Sequence, residues 1–149
     1  WPGGGYKNYL RIVLPKDTEI SEISIQDVAQ TLVDAVTDPL IYEAKNFRVP
    51  QGLEIEKVSE DNKTIFGFIV NVPVGEIVKV KVKYVLKDNI SNSHAFSYDL
   101  KLFKQPGIES LPYSFSLAYP SNLNVVEGKT SYSKKIVKDE NLVVGFTKK

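Results

Sequence analysis

Between Lys63 and Leu86 the chain reads KTIFGFIVNVPVGEIVKVKVKYVL. Phe66, Phe68, Val70 and Val72 take every second position of the first arm. Val78, Val80, Val82, Tyr84 and Leu86 do the same in the second, with Lys79, Lys81 and Lys83 between them. Successive side chains of a strand point to opposite faces, so each arm has one buried and one solvent-facing side. Pro73-Val74-Gly75 separates the arms. Proline suits the second position of a type I turn and glycine the fourth, and the pattern predicts a β-hairpin.

The same alternation recurs along the chain. Tyr6 to Leu14 reads as a first strand ended by Pro15, with Lys16-Asp17-Thr18 as a turn. Leu53 to Val58 is another strand, and Glu60-Asp61-Asn62-Lys63 a hairpin turn into the central stretch. Ala95 to Phe103, Tyr113 to Tyr119, Leu123 to Val126, Thr130 to Val137 and Leu142 to Phe146 complete the set. Lys104-Gln105-Pro106-Gly107 suits a type II turn with Pro106 and Gly107 in the middle. The clusters Glu127-Gly128-Lys129 and Lys138-Asp139-Glu140-Asn141 read as hairpin loops. One region has two readings. Ile25, Val28, Leu32 and Val36 stand at helical spacing, Ser24 and Asp27 could cap, and Asp38-Pro39 could stop, a short helix near residues 25–37. The alternative is two short strands, since Ile20, Ile23 and Ile25 are β-branched. An extended pattern resumes from Ile41 to Phe47. About nine or ten strands, with a turn signal every eight to twelve residues, predict a mainly β chain folded as a two-sheet antiparallel sandwich of immunoglobulin-like type.

Composition narrows the classes. The chain has 149 residues, 42% hydrophobic and 25% charged, with a net charge of +1. That predicts one globular domain over residues 6–149 and no global field favouring nucleic acid. No apolar run approaches the roughly 20 residues of a membrane span. The chain opens on Trp1-Pro2-Gly3-Gly4-Gly5 and contains no methionine, so it is expected to be a fragment of a larger protein with residues 1–5 as a linker. It has no cysteine, which excludes disulfides, thiolate metal ligands and cysteine nucleophiles.

Candidate chemistry is sparse. His94 is the single histidine, in the polar loop Asn92-Ser93-His94, without neighbouring residues that would complete a zinc site. Glu54 with Glu56, and Glu60 with Asp61, are paired carboxylates. Glu54 and Glu56 share one strand face two residues apart, whereas glycoside hydrolysis needs carboxyls facing each other across a cleft. Asp88, Asn89, Ser91 and Asn92 form an oxygen-rich loop without the ligand spacing of a calcium loop. Neither a catalytic, a cofactor-binding nor a metal residue is assigned, and no cofactor is expected. Lys79, Lys81 and Lys83 form a basic stripe along one strand, with Glu54 and Glu56 as expected partners on the neighbouring strand. Lysines on a strand discourage edge-to-edge aggregation; their functional reading is a weak site for an anionic polymer. A sugar-binding face would need solvent-facing aromatics, for which Trp1, Tyr6 and Phe103 are candidates.

Three segments together carry a family resemblance. They are Asn8 to Lys16 (NYLRIVLPK), Lys63 to Gly67 with Val72 to Glu76 (KTIFG and VPVGE), and Lys104 to Gly107 (KQPG). In that order they resemble the C-terminal β-domain of an uncharacterised family of membrane-anchored bacterial cell-surface proteins, a domain of unknown function. The match covers about two-thirds of the chain and has no counterpart for residues 20–50. It implies a non-catalytic extracellular domain at the cell surface, anchored through another part of the protein. Expected partners are other surface proteins or, as the alternative, carbohydrate or anionic wall polymer.

Overall fold

The structure is a computed structural model that describes residues 4–36, 38–44, 46, 48, 50–86, 93–107 and 109–149. It is mainly β, with open, largely antiparallel sheets. The chain divides into two compact units, 1–88 and 89–149, each with a hydrophobic cluster of its own.

The first unit contains strands β1 (Tyr6–Pro15), β2 (Glu19–Ile25), β3 (Val28–Ala29), β4 (Leu32–Asp34), β5 (Leu53–Glu60), β6 (Lys63–Val72) and β7 (Val80–Val85), with helix α1 (Pro39–Ala44) between β4 and β5. A four-stranded sheet has the order β1-β6-β5-β4, and a three-stranded sheet the order β3-β2-β7. Their facing sides bury Leu14, Ile55, Phe66, Phe68 and Val70 from the first sheet and Ile23 from the second. Val80 and Val82 of β7 pack against the same cluster. The period-2 pattern therefore sorts these strands correctly into inner and outer faces.

Pairing differs from the sequence reading at the central stretch. β6 and β7 are not hairpin partners: β6 lies between β1 and β5, and β7 pairs with β2 in the other sheet. Alternation is the same for any two strands flanking a turn, whether they pair or cross to the opposite sheet. Residues 73–79 make that crossing. The Glu76 amide donates to the Pro73 carbonyl (3.2 Å), placing Gly75 third in the turn with φ 74°. A positive φ at that place alone is the type II pattern, so the expected type I turn is corrected. The β5–β6 hairpin is as expected, with Glu60 opposite Lys63 and Asp61 at φ 51°.

The helix expected near residues 25–37 is also corrected, in favour of strands. Gln26 and Asp27 have φ 52° and 60° and close the β2–β3 hairpin, because a two-residue turn of type I′ needs positive φ at both positions. The Gln26 side-chain amide stands in for backbone. Its Nε2 donates to the Ile77 carbonyl (3.0 Å), and its Oε1 accepts from the Lys79 amide (3.0 Å). Asp38-Pro39 begins a helix instead of ending one. The Leu40 amide donates to Asp38 Oδ1 (2.9 Å), making Asp38 an N-cap with proline in the first helical position. This helix replaces the extended segment expected from Ile41. It lies on the crossover between β4 and β5, which pair in parallel, an exception to the antiparallel expectation.

The second unit contains β8 (Ala95–Leu102), β9 (Leu111–Ser116), β10 (Leu123–Glu127), β11 (Ser131–Ile136) and β12 (Glu140–Lys148). They form the sheets β10-β12-β8 and β11-β9. The loops at Glu127–Lys129 and Lys138–Asn141 thus join strands of different sheets and are not hairpin loops. Phe115, Val144 and Phe146 centre the cluster. Phe96 stacks on Phe146 at 5.3 Å, and Phe115 lies 6.1 Å from Tyr98 and 5.5 Å from Tyr132. Gly107 takes φ 84°, as the expected type II turn requires.

Strand β1 has the largest consequence. All ten of its residues are in register with β6, and it ends the sheet order. Just past its end the Lys16 amide donates to the carbonyl of Asn62, the residue directly opposite (2.9 Å). Antiparallel ladders alternate hydrogen-bonded and non-hydrogen-bonded pairs. Leu14, Ile12, Leu10 and Asn8 therefore turn their N–H and C=O groups toward β6. Val13, Arg11, Tyr9 and Lys7 turn theirs toward the open edge. Pro15 falls in the second set, where its missing N–H costs no ladder bond. We expect Val13→Pro to stay within about 1 kcal/mol of the wild type, as edge prolines do. Ile12→Pro breaks a ladder bond to Phe66 and should cost roughly 2 kcal/mol or more. Urea denaturation midpoints check the difference, and equal losses would contradict the assigned alternation.

Candidate functional site

The outer face of the four-stranded sheet holds the most distinctive set of side chains. The register sets Tyr9 beside Ile69, Arg11 beside Gly67 with Glu56 on the far side of that glycine, and Val13 beside Ile65 with Val58 on its far side. Tyr9, Val13, Val58 and Ile69 are each between 42% and 53% exposed, an apolar group on the solvent side of a sheet. A shallow depression of about 280 Å³ lies among Tyr9, Arg11, Glu56, Glu60 and Gly67.

Tyr9 is held in place across this face. A Cβ added to Gly67 would overlap its hydroxyl, so the glycine is what lets the ring end cross β6. Beyond the glycine the hydroxyl donates to Glu56 Oε2 at 2.5 Å. This bond to a carboxylate, with desolvation and the nearby negative charge, raises the phenol above its ordinary value, and Arg11 opposes the shift. Charge is segregated on the face. Lys7 and Arg11 lie on β1 at the open edge, and Glu54, Glu56 and Glu60 lie two strands away on β5. Glu54 Oε1 accepts from the Val36 amide (3.3 Å). Among the described residues, neither Lys7 nor Arg11 forms an ion pair. The sequence reading gave this strand no binding residue besides Tyr6. The alternation YKNYLRIVL was visible, but the face β1 shares with β5 depends on β6 standing between them.

The lysine stripe lies beside β2, not beside Glu54 and Glu56. Lys79 Nζ is 3.1 Å and Lys81 Nζ 3.9 Å from Asp27 Oδ1, and Lys83 Nζ is 2.9 Å from Glu22 Oε2. Two carboxylates serve the three lysines in well-solvated pairs, each worth about 0–1 kcal/mol. The stripe follows β7, at the end of its sheet order, where charge guards an edge.

The other candidates are dispersed. His94 is exposed at a bend before β8, and its carbonyl accepts from the Lys148 amide (3.0 Å). Tyr6 and Phe103 are exposed but belong to different units, and Trp1 lies outside the described residues. The oxygen-rich loop Asp88, Asn89, Ser91 and Asn92 likewise lies outside them. Among the described residues, no three His, Cys, Asp or Glu side chains converge as a metal-binding group. No helix there is long and apolar enough to cross a membrane. Comparison with family models, curated proteins and solved structures finds no match.

The Tyr9–Glu56 bond has a testable pH signature. A raised phenol pKa means the folded state keeps a proton that the unfolded chain loses. Stability from this source is complete below the unfolded value near 10 and is lost as pH rises through the higher folded value. Tyr9→Phe should flatten the fall in stability above about pH 10. Chemical denaturation at pH 8 to 11.5 measures it, and an unchanged alkaline slope would show that the bond does not form.

Proposed function

We propose that the chain is a non-catalytic protein-interaction module from the extracellular part of a bacterial surface protein, with sheets packed as an immunoglobulin-like sandwich. The resemblance of the YLRIVLPK, TIFG and KQPG segments supports the location and class. The single observation that carries the interaction reading is β1. It is ten residues long, in register without a bulge, and among the described residues paired on one side, with its Tyr9 and Val13 exposed. Straight, unpaired edges of this kind are what partner strands add to. Glu54 and Glu56, the paired carboxylates on β5, accept hydrogen bonds from the Val36 amide and the Tyr9 hydroxyl, which supports the non-catalytic reading.

The second reading is an anionic wall polymer bound along Lys79, Lys81 and Lys83. Their spacing of about 7 Å along a strand suits a linear polyanion. Asp27 and Glu22 already take these ammonium groups, which weakens the field such a polymer would feel.

Panning a displayed library of random nonapeptides on the chain separates the readings. The interaction reading expects enriched peptides whose binding Val13→Pro abolishes, because that change removes one open-edge N–H. Failure to enrich any peptide, or enrichment indifferent to Val13→Pro, would overturn it. Salt-sensitive retention on a polyanion column, lost when the three lysines become glutamine, would favour the polymer.

A further inference from the structure

We infer that the open edge of β1 accepts, by strand addition, an extended segment of a partner protein with two carboxylates four residues apart and an apolar residue on each side of the carboxylate that meets Arg11. The inference rests on the interaction reading above and names the partner's chemistry.

The backbone supplies the docking edge. The Lys16–Asn62 hydrogen bond sets the alternation, which leaves Lys7, Tyr9, Arg11 and Val13 with N–H and C=O groups directed away from β6. Those same residues point their side chains to the outer face. Lys7 and Arg11 therefore stand four residues apart beside the edge, with Tyr9 between them. Neither has an ion-pair partner among the described residues. The nearest row of carboxylates on this face lies across β6, where Tyr9 occupies Glu56 and Val36 occupies Glu54. A strand added outside β1 brings its outward side chains about 4.5–5.5 Å from Lys7, Tyr9, Arg11 and Val13. Carboxylates opposite Lys7 and Arg11 complete the charge pattern on the side that β5 leaves open.

The inner face specifies the alternate positions. Leu10 and Ile12 are half-buried and pack against the core cluster at its β1 flank. The residues of the added strand on either side of the carboxylate at Arg11 point inward opposite Leu10 and Ile12 and extend that flank, so apolar side chains suit them. A segment with apolar residues on both sides of each carboxylate meets this requirement in either strand polarity. A second copy of β1 is a poor occupant, because it would gather both Lys7 and both Arg11 side chains along one seam.

The test uses the full chain and labelled nonapeptides of sequence Thr-Val-Glu-Val-Thr-Val-Glu-Val-Thr and Thr-Val-Lys-Val-Thr-Val-Lys-Val-Thr, long enough to reach Val13 when their charged residues stand opposite Lys7 and Arg11, with binding read by fluorescence anisotropy at low and physiological salt. The acidic peptide is expected to bind roughly tenfold or more tightly than the basic one, since two cross-strand charge pairs change sign between them. Added salt should narrow the difference. Arg11→Glu should reduce the preference by weakening the acidic peptide and strengthening the basic one. Lys7→Gln with Arg11→Gln should abolish it, and Val13→Pro should remove binding of both while the circular dichroism stays native. Equal affinities, a preference unmoved by the Arg11 change, or binding of neither peptide would overturn the inference. If neither binds but the library still yields peptides sensitive to Val13→Pro, the partner chemistry is wrong and the interaction reading stands. If the library also yields none, both fall, and the cations of β1 act only to guard the edge.

Discussion

The first unit depends on the double role of β6. Its even-numbered residues Thr64, Phe66, Phe68 and Val70 are buried, while its backbone pairs with β1 on one side and β5 on the other. Burying a Phe or Val side chain contributes about 1.5–3 kcal/mol. A one-residue slip would turn that whole set to water and bring Ile65, Gly67 and Ile69 inward. The alternation of β6 therefore fixes the register of both neighbours. By fixing β1 it also fixes which of that strand's backbone groups face the open edge.

The outer face follows from the same alternation. Gly67 falls on it by parity, between Arg11 of β1 and Glu56 of β5. A glycine weakens a strand locally, and here Tyr9 covers it and ties β1 to β5 through its hydroxyl. The same arrangement stations the cations of β1 at the edge and the carboxylates of β5 away from it. A structural device for covering a glycine and a polarised binding edge thus share one set of residues.

Strand faces were legible in the sequence because side-chain alternation is a local property. Phe66, Phe68 and Val70, or Val144 and Phe146, are recognisable from their neighbours alone. Pairing was not, because a turn such as Pro73-Val74-Gly75 serves a hairpin and a crossover equally well. The Gln26-Asp27 turn was hidden for a different reason. Glutamine rarely takes positive φ, and what holds Gln26 there is a pair of hydrogen bonds to Ile77 and Lys79, about fifty residues away in sequence. Asp38-Pro39 misled because the same two residues suit a helix start and a helix stop. The lysine stripe was visible as a pattern. Its partners Asp27 and Glu22 followed only from β7 pairing with β2. The basic edge of β1 was visible as residues, but its importance lies in an unpaired side that only the sheet order reveals.

The central claim, that β1 pairs with β6 and with no other strand among the described residues, is tested most directly by amide hydrogen exchange resolved residue by residue. The account predicts alternation along the strand: slow exchange at Leu10, Ile12 and Leu14, whose amides bond to β6, and fast exchange at Lys7, Tyr9, Arg11 and Val13. Uniform protection across Lys7 to Leu14 would show a second neighbour on the outer edge and contradict it.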